Sequence, residues 1–305
     1  MKTKSFHAMG SKIFIALDIP ENINTPPLDQ VPQWFLVWES ILSRFLQSSE
    51  LNRLNQKHNA WISVSNVLWD VLQCARDAYT LSNGLVNAAM LKAIEKIGYT
   101  LDFGTLPEKL QNKNLFVENQ TNFGFEKIQF NPSRQTVNLP DGCSLDLGGV
   151  AKGWAAQQAM LRLSRIAPAL VNAGGDIAIS DEQQSGDPWF IGVTDPLNPE
   201  IHLQMLQVKS GGVATSGKDY HKWLLNGKWV HHILDPRTSQ PAQTDVLTAT
   251  ILAPSVLEAE TAAKTTFILG SQAGTQWLNS HPDFTGLFIL DDKTIITNEK
   301  LHALI

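Results

Sequence analysis

Segments with two different hydrophobic periodicities alternate irregularly along this chain, and this pattern constrains the fold most. Apolar residues recur at helical spacing over residues 34–45 and 64–81, whereas residues 11–18 are apolar-rich and β-prone. Residues 125–139 alternate around Asn131-Pro132-Ser133, which predicts a hairpin. Because the segments follow no regular βαβ order, the sequence predicts an α+β fold with mixed antiparallel sheets and packed helices.

The remaining segments extend this pattern over a single expected domain, residues 1–305. Pro26, Pro27 and Pro32 are expected to break the chain ahead of the helix at 34–45. Gly270 is expected to end a helix as its C-cap residue. Further helices are expected at residues 88–97, 152–166, 255–269 and 273–280. Further strands are expected at residues 144–147, 169–172, 189–193, 203–208, 212–215, 223–225, 247–253, 285–290 and 294–297.

Composition and charge argue against several classes of partner. The net charge is −5, the isoelectric point is about 5.9, and no basic stripe marks a nucleic-acid surface. No stretch approaches the ~18 apolar residues of a membrane span, and the N-terminus lacks the apolar core of a signal peptide. The two cysteines, Cys74 and Cys143, suit a reducing compartment. We therefore expect a cytoplasmic protein without a membrane anchor.

Residues 146–153, Asp-Leu-Gly-Gly-Val-Ala-Lys-Gly, join an expected strand to an expected helix. Two glycines permit close backbone approach, the helix N-terminus offers free N–H groups, and Lys152 adds an ammonium group. These features are typical of an anion-binding site. A tight strand-to-helix turn with a solvated lysine explains the same pattern equally well.

Two other glycine segments are weaker signals. Asn172-Ala173-Gly174-Gly175-Asp176 ends an expected strand in a glycine turn and an acid. Ala214-Thr215-Ser216-Gly217 offers two hydroxyl groups to a phosphate or a ring carbonyl. Taken alone, each is most simply interpreted as a turn.

Residues 231–238, His-His-Ile-Leu-Asp-Pro-Arg-Thr, form the most reactive polar cluster of the chain. A histidine can serve as general base for a hydroxyl nucleophile. On a strand, His231 and His232 point to opposite faces, so at most one of them faces a given site. The alternative is one half-buried and one solvated histidine, with Arg237 bracing the end of the strand.

The helix at residues 255–269 carries Glu260 and Lys264, which are four residues apart and therefore share a face. A surface ion pair of this kind contributes about 0.5 kcal/mol or less. The neighbouring Ala259, Ala263 and Phe267 are apolar, so this face of the helix is a candidate for burial.

Taken together and in this order, these segments resemble the ApbE family, the FAD:protein FMN transferases. The similarity covers nearly the whole chain. It comprises Met9-Gly10-Ser11, Ser43-Arg44-Phe45 with residues 49–55, and the segments 146–153, 172–176, 214–217, 232–238 and 259–264. Each motif is weak alone, and their common order makes the resemblance specific.

The resemblance implies a single α+β domain of the T-fold-like kind that binds FAD and a divalent metal, Mg²⁺. It implies transfer of FMN from FAD to a threonine hydroxyl of an acceptor flavoprotein, with release of AMP. Splitting a pyrophosphate requires neutralisation of charge on the leaving phosphate, which a metal or a lysine supplies. An alcohol nucleophile requires a base.

Carried over position by position, the resemblance also implies roles for individual residues. Met9 and Phe45 would lie against the flavin or the adenine, and Leu85, Val86 and Asn87 would line the FAD site. Asp146 and Lys152 would contact polar groups of FAD, joined by the backbone near Ile233. The metal ligands would be the carbonyl of Gly149, Glu260 and position 264, here Lys264. His232 would be the base for the acceptor threonine.

The sequence departs from the family pattern at several of these positions. Residues 84–87 read Gly-Leu-Val-Asn where the family has Gly-Ala-Phe-Asp, and Gln157 replaces an acid. Glu260 replaces an aspartate, and glutamate also supplies hard oxygen. Lys264 replaces a threonine ligand, and a protonated lysine cannot coordinate Mg²⁺. We hypothesise that Lys264 pairs with Glu260 and partly replaces the divalent charge.

Three functions are compatible with these departures. The first is an FMN transferase with a modified metal site. The second is an FAD-binding paralogue without transfer activity, and the third is an FAD pyrophosphatase that produces FMN and AMP. The transferase is preferred because segments 146–153 and 232–238 keep the family pattern.

Overall fold

The computed structural model describes residues 1–110, 124–298 and 301. The chain forms two compact units, each built from separate stretches of sequence. Unit 1 comprises Met1–Leu36, Lys152–Tyr220 and Thr244–Ile305, and unit 2 comprises Val37–Ala151 and His221–Gln243. Helices and antiparallel sheets are interspersed along the chain, so the predicted α+β class is confirmed. The single domain expected over residues 1–305 stays a prediction.

The elements are numbered in chain order over the described residues. The helices are α1 (Pro26–Leu42), α2 (Glu50–Asn55), α3 (Asn66–Leu81), α4 (Leu91–Lys96), α5 (Ala151–Leu163) and α6 (Val256–Asn279), with 3₁₀ turns at Phe103–Thr105 and Phe125–Lys127. The strands are β1 (Lys2–Ala8), β2 (Ser11–Leu17), β3 (Ile62–Ser63), β4 (Lys109–Leu110), β5 (Gln129–Asn131), β6 (Thr136–Asn138), β7 (Ala169–Ala173), β8 (Asp176–Ile179), β9 (Trp189–Asp195), β10 (Asn198–Val208), β11 (Gly211–Gly217), β12 (Lys222–Leu225), β13 (Lys228–His231), β14 (Leu234–Asp235), β15 (Gln240–Pro241), β16 (Val246–Ala253), β17 (Thr285–Leu290) and β18 (Ile295–Thr297).

Unit 1 is organised around an eight-stranded antiparallel sheet in the order β1-β2-β7-β8-β11-β16-β17-β18. Side chains of successive strand residues point to opposite faces of a sheet. Val213 therefore faces the apolar cluster that includes Trp189 and Leu206 of the β9–β10 hairpin. Gly212 faces α6, where an added Cβ would lie 2.1 Å from the backbone nitrogen of Val256. The start of α6 is thus pressed against β11.

Unit 2 combines α2, α3 and α4 with three small sheets, β13-β12-β4, β14-β15 and β3-β6-β5. Its core includes Trp223, which is 1% exposed and packs with Ile94 and Leu234. The indole N–H of Trp223 donates a hydrogen bond of 2.9 Å to the carbonyl of Ile97. This contact joins strand β12 to the end of α4.

The predicted break at the three prolines is wrong. Helix α1 begins at Pro26 and includes Pro32. Pro26 and Pro27 lie in the first turn, where the missing N–H would have no helical partner. Pro32 lies beyond the first turn, so this reason does not extend to it. The helix also ends at Leu42 rather than at residue 45, which leaves Phe45 in a turn.

The predicted strand at residues 144–147 is also absent, because a side chain takes the place of a strand partner. Asn55 accepts a hydrogen bond from the backbone nitrogen of Leu145 at 2.8 Å and donates one to its carbonyl at 2.9 Å. The next backbone nitrogen, of Asp146, donates to the carbonyl of Ala88 at 2.8 Å. These individual hydrogen bonds, rather than pairing with a neighbouring strand, hold the segment in place.

Smaller differences concern element ends. The helix expected at 88–97 is limited to α4, and the strand expected at 212–215 continues as β11 to Gly217, so residues 214–217 are not a turn. Gly270 interrupts the helical geometry as predicted, with φ of 81° and ψ of 174°, and α6 continues beyond it to Asn279. The predicted hairpin at 125–139 is confirmed by the pairing of β5 with β6.

Candidate functional site

In unit 1, Glu260 and Lys264 form a buried ion pair on α6. The ammonium nitrogen of Lys264 lies 2.7 Å from Oε1 of Glu260, and the two side chains are 18% and 3% exposed. The pairing hypothesised from their spacing is therefore present. Burial distinguishes this pair from an ordinary surface pair, because both charges have left most of their water.

The first turn of α5 closes over the same carboxylate. A Cβ atom added to Gly153 would lie 2.5 Å from Oε2 of Glu260, so a larger residue here would force that oxygen to move. Glu260 Oε2 is buried and has no hydrogen-bond partner among the described residues. The positive end of the α5 dipole stabilises a carboxylate in this position.

Asp176 completes this charged cluster, and sequence reasoning gave it no role. It begins β8 directly after the Gly174-Gly175 turn and is 5% exposed. The ammonium nitrogen of Lys152 lies 4.0 Å from its Oδ2. The signal available in the sequence was the acid that follows the glycine pair, which was interpreted as part of a plain turn.

The pKa of Asp176 is unusually high for an aspartate. Burial raises the pKa of Asp176, and the charge of Glu260 raises it further. The ammonium groups of Lys152 and Lys264 act in the opposite direction but do not cancel this rise. Two lysines and two acids in unit 1 therefore interact as one group, which we call the lysine cluster: Lys152, Asp176, Glu260 and Lys264.

Two tight turns of unit 1 carry further candidate residues. Met9 and Gly10 join β1 to β2 with φ values of 51° and 67°, the left-handed pair that a two-residue hairpin requires. At the β7–β8 turn, a Cβ on Gly174 would lie 2.6 Å from the hydroxyl of Ser11 and 3.9 Å from Cδ of Lys152. Met9 is partly exposed at the tip of its hairpin.

In unit 2, Asp146 is held by an arginine that the sequence interpretation gave no role. Nε of Arg44 lies 3.1 Å from Oδ2 of Asp146, and their side chains are 5% and 17% exposed. The other carboxylate oxygen accepts a hydrogen bond of 2.8 Å from the backbone nitrogen of Gly148. The family motif Ser43-Arg44-Phe45 was the signal for Arg44, but its partner is distant in sequence.

Aromatic rings surround the guanidinium group of Arg44. Its central carbon lies 4.1 Å from the ring centre of Phe45 and 4.7 Å from that of Tyr99. The two rings are themselves 5.8 Å apart, and Tyr99 continues the contact to Trp223 at 5.4 Å. Burial raises the pKa of Tyr99 to about 12, which keeps its hydroxyl neutral. We call Arg44, Phe45, Tyr99 and Asp146 the arginine cluster.

Residues 85–87 lie close to this cluster through the backbone. Val86 is buried, and its nitrogen donates to the hydroxyl of Ser82 at 2.9 Å. The side-chain oxygen of Asn87 accepts from the nitrogen of Ala89 at 2.9 Å. Leu85 and Asn87 are partly exposed. The carbonyl of Ala88 binds the nitrogen of Asp146, so the two predicted segments are adjacent in unit 2.

His231 and His232 differ in their surroundings, but only His231 lies in a strand, so the expected alternation along a strand does not apply to them. His231 ends β13, is buried, and places Nε2 3.1 Å from the carbonyl of Ala242. His232 is partly exposed and lies edge-on to the ring of His221 at 4.9 Å. The carbonyl of the next residue, Ile233, accepts from the nitrogen of Ala242 at 3.0 Å.

Arg237 braces the end of this segment. Its Nε and Nη2 donate to both carboxylate oxygens of Asp235, over 2.7 to 3.1 Å. Burial acts to raise the pKa of Asp235, but the hydrogen bonds and charge of Arg237 lower it overall. This geometry favours a structural role for Arg237, which braces the end of the strand.

The residues present do not fit an ordinary divalent-metal site. Mg²⁺ requires hard oxygen ligands. Oε1 of Glu260 is occupied by the ammonium group of Lys264, which offers no oxygen ligand. Gly149 lies in the turn that follows Asp146. Over residues 1–110, 124–298 and 301, no group of three or more His, Cys, Asp and Glu could hold a metal ion.

Comparison with known proteins identifies the family of this chain. The sequence model of the ApbE family matches residues 9–288. The chain belongs to the ApbE family. A relative from Treponema pallidum (strain Nichols), named FAD:protein FMN transferase, is 29% identical over 275 residues, covering 84% of this chain and 75% of the relative. A Haemophilus influenzae protein of the same name is 25% identical over 266 residues, covering 84% and 76%.

Solved ApbE structures share the fold. The ApbE protein of Thermotoga maritima superposes with a TM-score of 0.87 at 24% identity, covering 99% of this chain and 98% of that one. The flavin transferase ApbE of Vibrio cholerae gives a TM-score of 0.82 at 19% identity, covering 100% and 99%. The predicted family and fold are therefore confirmed, and transferase is the enzyme class of the named ApbE relatives. In the part of the chain that the structure describes, no helix is both long and apolar enough to cross a membrane.

Proposed function

We propose that this protein transfers FMN from FAD to a threonine hydroxyl of an acceptor flavoprotein and releases AMP. The observation that carries the proposal is the match of the ApbE family over residues 9–288, together with relatives named FAD:protein FMN transferase. We also propose that it works in the cytoplasm, with FAD and the acceptor as partners, and without nucleic acid.

In the proposed reaction the threonine oxygen attacks the phosphorus of the FMN half of FAD. A new phosphorus–oxygen bond forms, and the bond from that phosphorus to the bridging oxygen breaks. AMP leaves with the bridging oxygen. The threonine proton passes to His232, which is partly exposed, whereas His231 is buried.

The lysine cluster supports the charge demands of this step. Lys152 lies in the first turn of α5, where free N–H groups and the helix dipole favour an anion. Its ammonium group and the helix N-terminus would stabilise the charge that develops on the leaving phosphate. Asp176, 4.0 Å from the lysine nitrogen, restricts where that ammonium group can lie.

The remaining site residues are proposed as contacts for the flavin, the ribityl chain or the adenine. Phe45 offers a ring that already stacks with a cation, and Asp146 offers a carboxylate fixed by Arg44. The other proposed contacts are Met9, Leu85, Val86, Asn87 and the backbone near Ile233.

Incubation of the purified protein with FAD tests the proposal. An acceptor flavoprotein domain from a characterised relative is added or omitted, AMP is measured by liquid chromatography, and covalent flavin is measured by in-gel fluorescence. We expect AMP and a fluorescent acceptor band to appear together, and neither with an acceptor whose target threonine is replaced by valine.

Two other outcomes would replace the proposal. AMP and FMN released equally without acceptor would identify an FAD pyrophosphatase. Bound, intact FAD with no AMP under any condition would identify an FAD-binding paralogue. His232→Gln is the matched catalytic variant, because it removes the base while retaining a polar side chain. His281→Gln is its control, since His281 lies at the end of α6 against Trp277.

A further inference from the structure

The burial of the Glu260–Lys264 pair calls for an explanation other than stability. Lys264 and Glu260 have side chains only 18% and 3% exposed, and neighbouring positions on α6 such as Ala263 and Phe267 are fully buried. Removing two charges from water costs about as much as their attraction returns, so a buried pair adds little net stability. An apolar pair at these positions would fill the same space without that cost.

The Glu260–Lys264 pair also lies close to the backbone beside Lys152, the other lysine of the cluster. Oε2 of Glu260 lies against Gly153, the residue directly after Lys152. Both ammonium groups act on the buried carboxyl of Asp176, from which Lys152 is 4.0 Å away. The carboxylate that holds Lys264 thus lies against the turn of α5 that carries Lys152.

We propose that the ammonium group of Lys264, held by Glu260, takes the place of the divalent cation in this protein, so that its FMN transfer needs no metal. The inference rests on the proposed function. Lysine is a compact point charge that stabilises a phosphate without a defined coordination geometry. Together, Lys152 and Lys264 supply the positive charge that the leaving AMP phosphate requires.

Metal binding tests this inference without any measurement of turnover. MgCl₂ is titrated into the wild-type protein, Lys264→Thr and Glu260→Asp/Lys264→Thr in a calorimeter, and metal content is measured by elemental analysis. We expect no saturable Mg²⁺ binding by the wild type and one Mg²⁺ per chain in the double variant, in which the carboxylate has no ammonium partner and threonine adds a hydroxyl oxygen. Stoichiometric Mg²⁺ in the wild type would overturn the inference.

AMP release provides the second test. In EDTA, the wild type is expected to release AMP at the rate seen with Mg²⁺, whereas Lys264→Thr is expected to lose on the order of 100-fold. Lys264→Arg keeps a cation at this position and is expected to retain EDTA-resistant activity. Loss of wild-type activity in EDTA, restored by Mg²⁺, would contradict the inference.

Controls separate the inference from folding defects and from the proposed function. Lys209→Thr removes a lysine that pairs with Glu182 at 2.8 Å on the exposed surface, and it is expected to change neither readout. If Lys264→Thr folds poorly, Glu260→Gln/Lys264→Thr removes the unpaired carboxylate, and the same loss in EDTA is expected. If no condition releases AMP, the proposed function fails, and the Mg²⁺ titrations alone decide the role of Lys264.

Discussion

The lysine cluster of unit 1 and the arginine cluster of unit 2 each contain a largely buried ion pair, but the two pairs are built differently. In the lysine cluster, Glu260 and Lys264 are neighbours on one helix and their surroundings are further charged groups. In the arginine cluster, Arg44 and Asp146 come from distant parts of the sequence, and aromatic rings enclose the cation. In the first arrangement the pair interacts with a further lysine and a further acid, whereas in the second the carboxylate also accepts a hydrogen bond from the backbone of Gly148.

The largest expected effect on stability comes from breaking the Arg44–Asp146 pair, which holds the backbone. Asp146→Ala leaves Arg44 buried without its carboxylate and releases the hydrogen bond from Gly148. We expect the free energy of unfolding to fall by about 3 to 5 kcal/mol, measured by urea denaturation. Asp29→Ala, which breaks an exposed pair with Lys4, is the control and is expected to leave the midpoint unchanged. Equal midpoints for both variants would show that the Arg44–Asp146 pair stabilises the fold no more than an exposed pair does.

Breaking the Glu260–Lys264 pair is expected to lower the free energy of unfolding by a smaller amount. Lys264→Ala leaves the carboxylate of Glu260 buried, but Lys264 is the more exposed partner and water can enter the space that its side chain leaves. We expect a loss of about 2 to 3 kcal/mol in the same denaturation experiment. Lys264→Arg keeps the charge and should remain within about 1 kcal/mol of the wild type. A loss larger than that of Asp146→Ala would reverse the order of the two clusters.

The space that Gly153 leaves for Glu260 predicts a smaller effect. Gly153→Ala places a methyl group 2.5 Å from Oε2 of Glu260, and the carboxylate must move. Overpacking of this kind costs about 1 to 3 kcal/mol, which outweighs the gain in helix propensity. Gly104→Ala, where the nearest atom would be 3.4 Å away, is the matched control. Thermal unfolding of the two variants, compared by circular dichroism, would show no difference if the carboxylate shifts freely.

The smallest effect is expected from the aromatic contact of the arginine cluster. Phe45→Leu keeps an apolar side chain but removes the ring 4.1 Å from the guanidinium of Arg44. The loss of this cation–π contact is expected to reduce stability by about 1 kcal/mol. If Phe45 also contacts FAD, the dissociation constant for FAD rises as well. Phe14→Leu, at an exposed ring of unit 1, tests whether any loss of an aromatic side chain has the same result.

The contrast between the clusters also explains what the sequence could predict. Glu260 and Lys264 are four residues apart on a helix with clear periodicity, so local geometry was sufficient to pair them. The pairing of Arg44 with Asp146 depends on how unit 2 folds, and neither residue indicates its partner. Asp176 follows a glycine turn like many other acids, and only the fold shows that Lys152 and Glu260 surround it.

The wrong predictions have similar causes. Pro26 and Pro27 do not break α1, because proline in the first helical turn removes no helical hydrogen bond. The pattern at residues 144–147 was extended and apolar, as in a strand, but sequence patterning cannot show that an amide side chain from α2 supplies the partner. The order of the motifs was the stronger guide, because it identified the family and hence the α+β fold.

The amide of Asn55 has one further consequence, which concerns the backbone in the interior of unit 2. A buried backbone N–H or C=O group without a hydrogen-bond partner costs free energy comparable to a lost hydrogen bond. Leu145 is fully buried, and a single side chain satisfies both its N–H and its C=O. Asn55 therefore lets a segment without a strand partner lie in the core with these two polar groups satisfied.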